Sequence, residues 1–316
     1  MSASVTTHAE LHPGWLRLRV RSLRSFGARF MTRRDGVFGV LILAVFTVLA
    51  IAPQLFVGPL ETAVTASGGR LAAPDAAHLL GTDALGRDVL NLTIHGTRTS
   101  MAIGLLATVI TVLIGAVIGI VSGFVGGATD TILMRLSDFF LVLPTFVLAL
   151  ILAPVLLDVV GTQAEVLGMR MTLVVIVVVI GITSWASTAR IIRSQTLSLR
   201  ERAFVDRARV IGSSRAHIMW RHILPNVMSL IVANAVLTFA GAVLTETTLS
   251  FIGLGDPFQP SWGQILNAAQ GAGAPGLGAW WYLAPPAISI ILVVLAFTLL
   301  GNALDDVLNP KLRTRQ

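Results

Sequence analysis

Sixteen carboxylates and six histidines are the side chains of this chain that could move protons or hold a metal ion. Their spacing supports neither. There is no His-Glu-x-x-His pair, no Gly-x-Ser-x-Gly nucleophile turn and no Gly-x-x-x-x-Gly-Lys-Ser/Thr phosphate loop. Cysteine is absent, which removes disulfides, thiolate metal sites and Cys nucleophiles. His8, His12, His78, His95, His217 and His222 all lie outside the centres of the apolar stretches, and the His8/His12 pair lacks the further ligands a metal site needs. One carboxylate is out of place. Glu246, in "LTETTLSFIGLG", sits toward the end of an apolar stretch, where ionisable groups are costly and usually have a reason. It is a candidate pathway or gate residue; the structural alternative is a carboxylate satisfied by the hydroxyls of Thr245, Thr247 and Thr248. Asp158 reads as a residue at the end of a span. No metal and no cofactor is expected on this chain.

A second candidate is not catalytic but mechanical. "ERAFVDRARVIGSSRAHIMWRHILPN", Glu201 to Asn226, is a charged island in an apolar chain. Phe204, Ala208 and Ile211 repeat at helical spacing, flanked by Arg200, Arg202, Arg207 and Arg209. Gly212 then breaks the helix, and Ser213 or Ser214 can cap a second one carrying Ile218, Met219 and Trp220. A pair of helices lying on lipid would explain the arginines. A sharp glycine break between two spans points instead to a protruding knob with an apolar stripe and a basic rim.

The surrounding elements must be membrane helices. The chain is 54% hydrophobic and only 12% charged, with a mean hydropathy of +0.81, against about 25% charged residues in soluble domains. Six stretches reach the roughly 20 apolar residues that cross a bilayer: about 37–57, 101–125, 139–160, 171–189, 223–251 and 280–304. Lys and Arg are unevenly divided among the connections. The N-terminal arm has seven, segment 126–138 one, segment 190–222 eight and the tail three, whereas the alternate connections carry only Arg70, Arg87, Arg98 and Arg170. By the positive-inside rule both termini are cytoplasmic, which six spans require. With the basic excess placed at membrane edges, nucleic acid is not an expected partner. The arginine-rich arm reads as a cytoplasmic lead into an uncleaved first span.

The domain reading is therefore a basic arm over residues 1–36, a first span at 37–57, and an external segment at 58–96 with an interfacial helix capped by Thr82 or Asp83. A five-span core follows at 97–305, containing the loop at 190–222, and a tail at 306–316. Gly115, Gly119 and Gly123 share one helix face, as close helix packing in lipid requires. Trp280, Trp281 and Tyr282 read as an interfacial aromatic belt. The absence of an evident repeat weighs against a stand-alone secondary transporter.

The charged loop resembles the "EAA" loop of bacterial ATP-binding-cassette importer permeases: Asp206-Arg207-Ala208, then Arg209-Val210-Ile211, Gly212, and a Leu224-Pro225 at the expected interval. Asp for Glu and Arg for Ala are its two departures. "HLLGTDALGRDVLNLTIHGTRTSM", "LSFIGLG" with "PSWGQIL", and "AWWYLAPPAISIILVVLAFTLLGNALDDVLNP" resemble the second permease subunit of dipeptide, oligopeptide and nickel importers over residues 30–312. The resemblance implies an all-α, polytopic, type I ABC importer permease fold in the bacterial plasma (inner) membrane. Its implied partners are a homologous second permease, two cytoplasmic ATPases that carry the ATP and Mg²⁺, an external solute-binding protein and membrane lipid. The ATPase-coupling element it implies comprises Ala203, Phe204, Asp206, Arg207, Ala208, Arg209, Ile211, Gly212, Ser213, Ser214 and Ile218. Short peptides are the implied cargo. Nickel or another small solute, or a secondary transporter of a different class, are the alternatives.

Overall fold

The computed structural model describes residues 30, 32–162, 164–166 and 168–308. His8, His12, most of the arginine arm and the basic residues of the tail lie outside the described residues. Helix α1 (Arg34–Ile51) ends six residues short of the expected span end, because Pro53 cannot donate and disfavours helix at Ala52. A single turn, α2 (Gln54–Val57), follows. Helix α1 packs along α11 (Trp280–Leu308), with Gly39 so close to Ala296 that a Cβ there would lie 2.7 Å from the carbonyl oxygen. Arg33 and Asp306 close that contact with an ion pair.

Helix α3 (Val89–Val125) starts twelve residues before the apolar stretch that signalled it. At roughly 1.5 Å per residue its 37 residues reach about 55 Å, well beyond a bilayer core of about 30 Å. The separate interfacial helix expected before it does not form, and neither Thr82 nor Asp83 caps anything. Both are consumed by the preceding turn: Thr82 Oγ1 accepts from Ala72 N, and Asp83 Oδ1 accepts from Leu85 N and Arg87 N. The cap is Asp88, whose Oδ1 accepts from Leu90 N at 2.6 Å and Asn91 N at 3.3 Å.

The expected third span is two helices. Helices α4 (Gly127–Val142) and α5 (Thr145–Val160) meet at a 91° bend. Pro144 forces Leu143 into extended geometry (φ −77°, ψ 128°), which ends α4. Helix α4 is then held to α6 (Met171–Arg200) by Arg193, which grips both oxygens of Asp130 at 2.6 Å, and by the Arg190–Asp138 pair. Two dipeptide strands, β1 (Glu165–Val166) and β2 (Met169–Arg170), pair antiparallel just before α6. The contact of α3 with α6 is the broadest in the fold. It runs along the glycine face, where Cβ atoms at Gly115, Gly119 and Gly123 would lie 2.7, 2.6 and 2.8 Å from Thr188, Ala189 and Thr196.

After α6 come two short helices, α7 (Ala203–Val210) and α8 (Arg215–Ile218), a π turn at Met219–Ile223 and α9 (Leu224–Leu249). A second π turn, Ser250–Leu254, is kinked at Gly253 with φ +98°. Helix α10 (Trp262–Gly271), which the turn-rich sequence hid, then wedges back between α3, α9 and α11. Its Trp262 is fully buried, donating Nε1–H to Thr93 O and the backbone N–H to Ser100 Oγ. The aromatic belt is thinner than expected, since only Trp280 is well exposed and Tyr282 is core. Among the described residues five helices are long and apolar enough to cross a membrane, and the bent pair α4–α5 makes the sixth if it counts as one span.

Candidate functional site

The connection between α6 and α9 is shorter and stiffer than its sequence implied. Helix α6 continues to Arg200 instead of ending at Ala189, so residues 190–200 are helix, and only Glu201 and Arg202 separate it from α7. On the other side α8, the π turn and α9 form one helical run from Arg215 to Leu254. The knob between these two rods consists of α7 and the turn that follows it.

That turn closes by a pattern of two hydrogen bonds. Gly212 N–H donates to Arg209 O at 3.0 Å and Ser213 N–H donates to Ala208 O at 3.0 Å, the pairing of a Schellman motif with Gly212 at the left-handed position. Gly212 has φ +83°. Ser214 caps α8, its Oγ accepting from His217 N at 3.2 Å, so of the two candidate serines it is the second that caps. Asp206 in the first turn and Arg207 and Arg209 in the last complement the dipole of α7. Asp206 and Arg209 also pair at 3.0 Å, but both are exposed and the pair adds little stability.

The apolar residues of α7 divide differently from the stripe read in the sequence. Val205 and Ala208 face inward and pack with Ile192, Ile218, Ile223 and Val227, tying the knob to α6 and α9. Phe204 packs at the edge of this cluster, against His222. Ile211 is 80% exposed and so is not on the buried face, and Val210 beside it is 87% exposed. Ile218 is almost fully buried and therefore positions the knob from beneath. The outer surface is an apolar tip, Val210 and Ile211, with Arg207 and Arg209 beside it. Sequence reasoning missed Val205 and Val210; the only signal was their place in the helix, since 205 and 208 fit a helical period as well as 204 and 208.

Because no Cβ at residue 212 would meet another atom within 4 Å, Gly212→Val tests the turn and not a clash. The left-handed conformation costs a side-chain-bearing residue roughly 1–2 kcal/mol, and a β-branched one more. We expect Gly212→Val to lower the transport that the loop's resemblance implies at least several-fold with membrane insertion intact, and Gly212→Asn, which tolerates this conformation, to retain most of it. Equal uptake by Gly212→Val and the parent chain would remove the turn from the mechanism.

Glu246, on α9, is completely buried. The threonines expected to satisfy it do so only in part: Thr245 and Thr248 donate to carbonyls of their own helix, and Thr247 Oγ1 approaches Glu246 Oε2 at 3.5 Å. Its neighbours are serines, one a turn further along the same helical run and two from elsewhere in the fold. Ser250 Oγ donates to Oε1 at 2.8 Å, and Ser100 on α3 and Ser261 at the start of α10 lie near the carboxylate. Each of those two oxygens already accepts a backbone N–H, from Trp262 and Gln264 respectively, so each has its O–H left to give. Nothing in the sequence could pair Glu246 with serines 146 positions before it and 15 after it. Among the described residues no group of three or more His, Asp or Glu side chains could hold a metal ion.

Comparison with known proteins agrees with this architecture. The sequence profile described as binding-protein-dependent transport system inner membrane component matches residues 115–314. A putative peptide permease protein of Brucella suis biovar 1 is 36% identical over 286 residues, covering 90% of this chain and 89% of its own length. The dipeptide transport system permease protein DppC of Bacillus subtilis (strain 168) is 35% identical over 277 residues, 86% of this chain and 80% of its own. The oligopeptide transport system permease protein OppC of the same organism is 33% identical over 287 residues, 90% and 88% respectively. With a helical bundle of membrane-spanning length and full-length relatives of this kind, the chain belongs to the family of inner membrane components of binding-protein-dependent transport systems, as a permease subunit.

Proposed function

We propose that this permease carries short peptides inward across the membrane, driven by ATPase subunits that dock on the 201–220 loop and supplied by an external solute-binding protein, with a homologous permease completing the pathway. Both termini and the loop face the cytoplasm. The chain itself catalyses nothing; ATP and Mg²⁺ act on its partners. The observation that carries the reading is the exposed Val210–Ile211 tip on a turn locked between two rods that continue into spans. An apolar tip beside arginines is a surface to be buried by a partner and oriented by its acidic groups. Two residues of linker on one side and none on the other leave little slack, so force on the tip passes into α6 and α9. Peptides are favoured by the names of the relatives.

The cysteine-free chain permits a direct test of orientation. Ile211→Cys in whole cells should resist a membrane-impermeant maleimide and react fully once the membrane is opened, and labelling should fall when ATPase is bound. Labelling in intact cells would reverse the topology. The transport reading is tested in proteoliposomes holding the permease pair, ATPases and binding protein, offered dipeptides, oligopeptides and nickel. Peptide uptake that requires both ATP and the binding protein is expected; uptake by this chain alone on an ion gradient would overturn it.

A further inference from the structure

Beside the knob, a cleft of about 440 Å³ opens between the end of α3 and the α7–α8 turn, within the roughly 300–1,000 Å³ of small-molecule sites. Arg200, Arg209 and Arg215 line it with Ser213, Phe124 and Val125, and no carboxylate does. The carboxylates that the first two arginines reach, Glu201 and Asp206, are 75% and 60% exposed, so these are solvent-screened pairs that leave most of each guanidinium's five N–H groups free. Arg215 has no ion-pair partner among the described residues. Two contacts aim the guanidiniums at the cleft wall. Arg200 Nη1 donates to Phe124 O at 3.4 Å, and Arg209 lies over the Phe124 ring at 5.8 Å. Two positioned guanidiniums and the exposed Arg215 put three positive charges around one opening, which suits a phosphate group.

A second feature indicates which molecule carries that phosphate. A small, wholly apolar crevice of about 30 Å³ lies on the same two elements, formed by Val117, Ile120 and Val121 of α3 and by Met219 and Trp220 of the π turn, the residues that precede Phe124 and follow Ile218 of the cleft. Its α3 residues precede Phe124 by one to two helical turns, about 5–10 Å further into the bilayer. Trp220 is 59% exposed beside Arg221, the position an interfacial tryptophan takes. Basic at the membrane edge and apolar just inside it, the combined site matches a phospholipid and not a soluble anion.

We propose that this cleft binds an anionic phospholipid of the cytoplasmic leaflet, its phosphate held by Arg200, Arg209 and Arg215 and the start of an acyl chain lying in the Val117–Val121 crevice against Trp220. The inference rests on the orientation stated above, which puts the loop in the cytoplasm. A lipid seated there bridges the ends of α3 and α6 to the turn that carries the apolar tip, so it stiffens the connection between ATPase and spans.

The test uses the assembled importer in nanodiscs of phosphatidylcholine with 30% phosphatidylglycerol, with retained lipid counted by native mass spectrometry. The parent complex should keep phosphatidylglycerol in clear preference, and Arg200→Gln/Arg215→Gln should lower that preference by roughly 25-fold, since each basic residue near an anionic surface contributes roughly a five-fold preference. Arg215→Gln alone, at an exposed site, should give an intermediate value and guards against misfolding of the double variant. No preference in the parent, or an unchanged one in the variants, overturns the proposal. So does displacement of phosphatidylglycerol by millimolar inorganic phosphate, which marks an anion site only, or loss of ATPase from the double variant with lipid preference intact, which assigns the arginines to protein docking. Uptake measured in parallel separates this from the transport reading: a complex that selects phosphatidylglycerol yet never imports peptide fails only the latter.

Discussion

Replacing Val210 and Ile211 together by Asp is expected to release the ATPase, raising its dissociation constant by at least 100-fold while the permease folds and inserts as before. Both side chains are more than three-quarters exposed, so the folded chain loses no packing. Docking is where they matter. Burying a Val or Ile side chain is worth about 1.5–3 kcal/mol, and forcing a carboxylate into the same apolar contact adds a desolvation cost of several kcal/mol. A 100-fold change requires only about 2.8 kcal/mol. Co-purification and surface-binding measurements read the loss directly. Reversing Arg207, which does not line the cleft, to Glu tests the rim instead of the tip: rim charges act mainly on the association rate, so the effect should be smaller and should shrink with added salt. A double Asp variant that keeps its ATPase would show that the tip faces lipid or solvent in the working transporter.

That prediction depends on side-chain directions that the loop sequence left undecided. Composition and arginine distribution carry the membrane class, the spans and the loop, because a bilayer imposes length and charge rules that act residue by residue. Gly212 was legible for the same kind of reason, since a left-handed helix end has few chemical solutions. Helix limits were not. The start of α3 at Asp88 depends on Thr82 and Asp83 being occupied in a turn closed by residues 69 to 72, and the bend at Pro144 needs α4 to find Arg190 and Arg193 on α6. In an eight-residue helix the inward face is fixed by what lies beneath it. Ile192, Ile223 and Val227 select Val205 and Ala208 over Phe204 and Ile211. Helix α10 was hidden for a related reason: between turn-forming segments, ten residues with a single Ser261 cap become helical by wedging against three others.

Glu246 poses the same problem in its strongest form, and its substitution has the second large expected effect. If the carboxyl is a staple, Glu246→Ala should lower the unfolding free energy of the purified permease by about 3 kcal/mol, because the Ser250 hydroxyl loses its acceptor inside the protein, the nearby Ser100 and Ser261 lose a polar neighbour and a cavity remains. Interhelical hydrogen bonds in membranes average only about 0.6 kcal/mol each, so most of this loss comes from stranded donors and the void. Glu246→Gln is the informative partner. It keeps the shape and one acceptor oxygen but turns an amide donor toward hydroxyls that are themselves donating, at a cost of roughly 1–2 kcal/mol. Uptake should follow stability in both variants, since loosening this node frees α10 from α3 and α9. Should Glu246→Gln leave the melting temperature unchanged and still abolish uptake, the carboxyl acts on the translocated solute, and α10 must move away from it during the transport cycle to expose it.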